Sequence, residues 1–342
     1  MSRLQINSLP LRTSVRRPWR ALRCSGLALV LGMVAGWAAL RSSAADATTT
    51  NAWKLVWSDE FDGKDIDPTK WDFDLGNGFF NHAANAWIGG WGNNELQYYT
   101  RAPANVFIKD GLLHIRAQKE TCKGCAYTSA RLISRKQDGS PLFNKQYGRF
   151  EFRAKLPTGR GIWPALWLLP QAELYGGWAA SGEIDVLEAR GQEPGKVLGT
   201  LHYGACWPAN VQTGQDYVLP DQGTIADFHI YALEWEPGEI RWFVDGHRYA
   251  TQTFWWSSNK LAGNKGRPPA NASDLNPWPA PFDHHFYLIM NLAVGGNFLG
   301  NPDATTVFPA ELVVDYVRVY DKAGGYPDLK PRGAGQVLFA KP

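Results

Sequence analysis

Three acidic side chains crowd one short stretch of this 342-residue chain. In SGEIDVLEARG, residues 181–191, Glu183, Asp185 and Glu188 fall within six positions of an otherwise apolar, strand-like run. On a strand, Glu183 and Asp185 share a face, whereas Glu188, five residues from Glu183, points to the other by strict alternation. A single bulge at Val186-Leu187 adds one residue and returns Glu188 to the face of the other two. The two glutamates are then effectively four positions apart, about 13 Å between Cα atoms at about 3.3 Å per residue. Side chains leaning together bring the carboxyls to about 5 Å, the separation of a glycosidase that retains configuration, whereas inversion leaves about 6.5–9.5 Å for a water. Like charges this close cannot all ionise cheaply, so one group keeps a proton near neutral pH. The pattern therefore reads as Glu183 nucleophile, Glu188 general acid/base, and Asp185 the partner that tunes and orients Glu183.

Three acids on a strand equally suit a solvated sheet face, and the aromatic context decides between the two. Trp163, Trp167 and Trp178 flank the cluster, and Trp87, Trp91, Tyr98, Tyr99, Trp207 and Trp235 lie in polar, Gly-rich stretches. Indole faces match the C–H faces of pyranose rings, while Asn, Gln and His satisfy hydroxyls. Sixteen Trp in all make a sugar-binding groove the natural use of several.

The formal charge of +3 first suggests an anionic partner. However, residues 1–45 hold seven of the 35 basic residues and none of the 32 acidic ones, so the remainder carries −4. No basic stripe with interleaved aromatics remains, and nucleic-acid binding is excluded. The arginine-rich start, the uncharged run from Cys24 to Leu40 and the small residues Ser43-Ala44-Ala45 form an export signal. Seventeen apolar residues also meet the lower limit for a membrane anchor, about 17–25. Export is the better reading, which predicts a secreted or periplasmic monomer without stable membrane association once the signal is cleaved.

Strands must position the acids. Phe150, Phe152, Ala154 and Leu156 alternate with charged residues, LLHIRAQ (112–118) and LVVDYVRVYD (312–321) repeat the pattern, and Asp245-Gly246 joins two strands in a tight hairpin. No amphipathic helix of 12 residues or more follows residue 45. An all-β sandwich or barrel in one domain, residues 46–321, results, with a long surface loop at 257–285 and a poorly ordered tail at 322–342. The spacing of Cys122 and Cys125 lacks the second pair of a zinc ribbon and the βαβ setting of a redox site, so a local disulfide is expected, with Cys206 unpaired.

From about Leu55 to Tyr320 the chain resembles glycoside hydrolase family 16, specifically its laminarinase-type endo-β-1,3-glucanases. The motifs run in order: WSDEFDG, WGNNELQYYT, YGRFEFRAKLPTGRGIWPALWLLP, SGEIDVLEARG, GTLHYG, HIYALEWEPGEIRWFVDG, NLAVGGN and VDYVRVYD. The resemblance implies a concanavalin A-like jelly roll with a cleft on its concave face and retaining hydrolysis of a β-glucan without a catalytic cofactor. It also implies that Asn94, Glu95, Arg149, Trp163, Trp167, Trp178 and His202 line or support the cleft. A structural calcium away from the cleft, held at Glu60, Gly111 and Asp315 partly through backbone oxygens, follows from the same likeness. Ala179 stands where proline is frequent in the family. Mixed-linkage glucan or galactan cleavage and transglycosylation are the alternatives on this fold. A non-catalytic glucan-binding relative typically lacks the acids, and all three are present here.

Overall fold

The computed structural model describes residues 52–81, 85–259, 268–269 and 271–330; the export segment read at residues 1–45 and the chain from 331 lie outside them. In chain order the strands are β1 (Trp53–Asp59), β2 (Asp72–Phe73), β3 (Gly78–Asn81), β4 (Ala86–Gly89), β5 (Gln97–Tyr99), β6 (Val106–Lys109) and β7 (Leu112–Ala117). There follow β8 (Tyr127–Ser129), β9 (Arg131–Ile133), β10 (Asn144–Lys145), β11 (Gly148–Lys155), β12 (Ile162–Pro170), β13 (Glu183–Glu188) and β14 (Lys196–Gly204). The last are β15 (Asn210–Val218), β16 (His229–Glu236), β17 (Glu239–Val244), β18 (His247–Gln252), β19 (Phe286–Val294) and β20 (Ala310–Lys322). Helix is confined, among the described residues, to three single 3₁₀ turns, and none is long and apolar enough to cross a membrane.

Two eight-stranded antiparallel sheets form a jelly-roll sandwich. The outer sheet runs β18-β17-β16-β11-β20-β7-β6 with β1 on β20, and the cleft sheet runs β15-β14-β13-β12-β19-β9-β2 with β10 on β19. Their facing sides interdigitate: Phe150 and Phe152 of β11, Trp235 and Trp242 of β16 and β17, and Leu166, Ile184 and Leu288 of the cleft sheet share one buried core. The expected alternation holds, with Phe150, Phe152, Ala154 and Leu156 all inward. Asp245 and Gly246 have φ of 49° and 78°, the doubly left-handed turn that matches hairpin twist.

The bulge read from parity is present. Opposite β12, Leu187 pairs with Leu166 and Asp185 with Trp167, so Val186 is the extra residue; opposite β14, Asp185 pairs with Thr200 and Glu188 with Leu198. Ile184, Val186 and Leu187 point into the core. Beneath this irregularity lies Trp242 of the outer sheet, whose indole N–H donates to the Asp185 carbonyl at 2.8 Å. Gly199 of β14 makes room for that ring: a Cβ there would sit 2.3 Å from Trp242 Cδ1.

Three expectations need correction. The 257–285 segment is not wholly a surface loop, because Ser257, Ser258, Ala280 and Phe282 are fully buried and the Trp255 and Trp235 indoles donate to its Pro279 and Phe282 carbonyls. The start of the tail is docked: β20 extends to Lys322, Tyr326 donates to Asp321 at 2.6 Å, and the Lys330 carbonyl accepts from Trp278 at 2.8 Å. Cys122, Cys125 and Cys206 are all free thiols. The Cys122–Cys125 turn is closed by its own reciprocal backbone bonds of 3.0 and 2.9 Å, with Lys123 and Gly124 left-handed, and needs no cross-link.

Gly199→Ala is expected to cost about 1–3 kcal/mol by overpacking against Trp242. A lowered urea midpoint at unchanged m-value checks this.

Candidate active site

The cleft face of β13 presents Glu183, Asp185 and Glu188 together, as the bulge requires. His202, paired with Glu183 across β14, sets its Nε2 3.5 Å from Glu183 Oε1 and 3.3 Å from Asp185 Oδ2. Trp178, carried on the loop before β13, donates its indole N–H to Glu183 Oε2 at 2.8 Å. Trp163 of β12 does the same for Glu188 Oε1 at 3.1 Å. Each glutamate is thus held by a neutral donor rather than by an arginine.

The electrostatics separate the two glutamates. Burial, then the Asp185 charge, raises Glu183 to about 7. The same two causes, in the same order, raise Glu188 to about 8. Burial opposes charging of His202, but Glu183, Asp185 and Glu188 outweigh it and raise the imidazole to about 9. The site therefore holds a cationic imidazole between Glu183 and Asp185, with the more basic glutamate at the far end of the strand.

The remaining cleft positions read from the sequence fall into two groups. Trp167 donates to Asn291 Oδ1 at 2.6 Å; Asn291 donates to Tyr99 Oη at 3.0 Å, and Tyr99 to Glu95 at 3.4 Å. Glu95 also accepts from Gln97 at 2.6 Å, and its burial raises its pKa. Asn94 donates to Asn297 Oδ1 at 2.9 Å. Gly296, with φ of 103°, lets these pieces meet: a Cβ there would lie 2.9 Å from the Asn93 carbonyl and 3.5 Å from both Glu95 Cγ and Trp163. Arg149 does not belong with them. It lies on the outward side of β11 in the other sheet, where it binds Glu151 at 2.9 Å and Glu234 at 3.0 Å. Alternation with the inward Phe150 puts it on the far surface of the sandwich.

Arg131 was not legible as a cleft residue. It is buried on β9 between two indoles, its guanidinium carbon 4.6 Å from the Trp91 ring and 4.7 Å from the Trp167 ring, and binds Asp74 at 2.9 Å. A row of rings and polar groups thus crosses the strands, from Trp178 and His202 past Trp167 and Arg131 to Trp91. Of the other aromatics singled out, Trp235 is core, whereas Trp87 and Trp207 are surface rings.

The two carboxylates read for calcium have cationic partners. Glu60 is gripped by Arg318 through bonds of 3.0 and 2.9 Å, Asp315 is bound by Arg153, and Gly111 lies beside Asp62. Among the described residues, the acid-and-histidine group able to chelate an ion is Glu183, Asp185 and His202.

Comparison with known proteins agrees with this geometry. Residues 91–260 match the model for glycosyl hydrolases family 16. The chain is 44% identical over 302 residues to a beta-glucanase of Rhodothermus marinus, covering 86% of this chain and 93% of that one. The chain belongs to glycosyl hydrolases family 16. A glucan endo-1,3-beta-glucosidase A1 of Niallia circulans is 45% identical across 78% of this chain, which spans only 37% of that longer protein. Among solved structures, the catalytic domain of an endo-1,3-beta-glucanase (laminarinase) from Thermotoga petrophila superposes with a TM-score of 0.63 at 41% identity, covering 79% of this chain and 98% of that one. As a family 16 member, the chain shares its sandwich with enzymes that carry glucanase names.

Glu183→Gln is expected to stabilise the fold, increasingly so as pH rises. The folded-state value of about 7 exceeds the ordinary 4.5, so the wild type loses stability between those values and the amide does not. Melting temperatures of both proteins from pH 4 to 8 test this, and a constant difference contradicts it.

Proposed function

We propose that the chain is an exported, monomeric endo-β-1,3-glucanase that hydrolyses its polymer with retention of configuration. The observation that carries this reading is the bulge that turns Glu188 to the side of Glu183 and Asp185, where burial raises both glutamates toward neutral pH. Glu183 attacks the anomeric carbon while Glu188 donates its proton to the departing glycosidic oxygen, breaking the C1–O bond. Glu188, now a carboxylate, takes a proton from water, which displaces Glu183 and restores the starting configuration. Trp178 holds one oxygen of Glu183 and leaves the other for attack. Asp185 and the charged His202 fix its orientation. The relatives' names support β-1,3-glucan as substrate, and the indole rings and amides among the cleft groups suit a hydroxyl-rich polymer.

Laminarin is expected to yield reducing ends faster than lichenan or agarose, and Glu183→Gln to lose roughly 10³-fold or more in kcat. Preferential cleavage of agarose overturns the substrate assignment. NMR of the first product should display the β-anomer; an initial α-anomer contradicts retention.

Activity should follow a bell, falling as pH drops through about 7, where Glu183 gains a proton, and as it rises through about 8, where Glu188 loses one. The two limbs belong to the coupled pair. Glu188→Gln should abolish the alkaline limb and cost about 10²–10⁴-fold in rate.

A further inference from the structure

Beside the catalytic row lies a second pocket that the reaction above does not use. Its cavity of about 280 Å³ is lined by Asn144, Gln171, Ala172, Leu174, His284 and His285. It opens where β12 ends and β19 begins. The pairing of Leu168 with Ile184 sets Leu169 level with Glu183, and Gln171, on the same face, lies two residues further, roughly 7 Å along the strand. The pocket is therefore offset to the side of the row that crosses the strands.

Two buried polar atoms are left over in this lining. Gln171 Oε1 and His284 Nε2 have no hydrogen-bond partner among the described residues, although Gln171 Nε2 donates to the Gly139 carbonyl at 2.7 Å. His284 is only 8% exposed. Its Nδ1 faces Asp283 at 3.4 Å, and Tyr175 donates to the other oxygen of that carboxylate at 2.7 Å. A proton on Nδ1 leaves Nε2, like Gln171 Oε1, an acceptor. Unsatisfied buried acceptors are costly, and a group supplying donors removes the penalty. Leu174, 62% exposed, and the exposed Ala172 add an apolar rim. Hydroxyl donors on one edge and a C–H face on the other describe a pyranose ring.

We infer that this pocket is a side subsite for a single neutral sugar unit branching from the main chain near the residue held at Glu183. The inference rests on the glucanase reading and extends it to branched β-1,3-glucans. The volume lies just below the range of small-molecule sites, about 300–1,000 Å³, which suits one ring rather than a continuing chain. A backbone lying along the Trp178-to-Trp91 row can then place a substituent on its flank into the pocket.

The test compares kcat/KM on a linear β-1,3-gluco-oligosaccharide with that on the same backbone bearing one glucosyl branch at O6. Gln171→Met removes the acceptor at similar length, and Ala172→Trp blocks the mouth from an exposed position. Gln171→Met is expected to lower kcat/KM on the branched substrate about 2–10-fold, as for loss of one neutral hydrogen bond, and Ala172→Trp to lower it further. Both should leave the linear substrate unchanged. Equal effects on the two substrates, or none on either, overturn the subsite. A melting temperature raised by zinc chloride in the wild type but not in His284→Gln, with branch preference unaltered in both variants, makes the pocket a metal site and likewise overturns it. Wild-type inactivity on both substrates instead defeats the glucanase reading, and this inference with it.

Discussion

The Val186 bulge, and the Trp242 indole that seals it from below, is the constraint on which the site depends. A β-strand alternates sides at every residue, so no regular strand can put positions 183, 185 and 188 on one surface. The extra residue solves this but disturbs the hydrogen-bond ladder beneath the catalytic face. Trp242 reaches from the outer sheet to satisfy the Asp185 carbonyl, and Gly199 gives up its side chain so the ring can lie there. Both sheets, and not β13 alone, therefore define the catalytic geometry.

The same strand concentrates charge at an energetic cost. Glu183 and Glu188 are half-buried beside indole rings, with Asp185 close by, and among the described residues their ion pairing is limited to one imidazole shared by Glu183 and Asp185. Elsewhere the sandwich treats acids differently: on the outer sheet, Arg241 alone binds Glu234, Glu236 and Glu239. An arginine against Glu188 would hold the carboxylate ionised and remove the proton that the proposed reaction takes from it. The indole N–H groups orient the glutamates while leaving one of them protonated near neutral pH.

Much of this was legible in the sequence because it obeys local rules. Parity alone located the bulge, the Asp-Gly pair gave the β17–β18 turn, and the inward alternation of β11 was plain. Arg149 illustrates what local rules miss: its strand, its neighbours and its motif were read correctly, but which sheet β11 joins and which side faces out depend on pairings with β16 and β20 far along the chain. Arg131 carried no signal, since nothing in ARLISRKQ distinguishes an arginine buried between two indoles from one in solvent. The buried half of the 257–285 segment was obscured by its Pro and Asn content. The run from Pro279 to Phe282 serves a buried turn, with tryptophan N–H groups satisfying its carbonyls.

The site divides into a floor and walls of different character. Glu183, Asp185, Glu188, His202, Trp163 and Trp167 stand on interior strands, each flanked by paired neighbours. Trp178, Leu174, Trp91 and the β3–β4 hairpin belong to connections outside the two large sheets. A substitution in the floor disturbs registers shared by several strands, whereas one in the walls, Trp178 apart, changes shape and stacking without touching the acids. Descent with altered substrate preference is thus open to this scaffold by drift in its loops, while the bond-breaking apparatus is inherited intact.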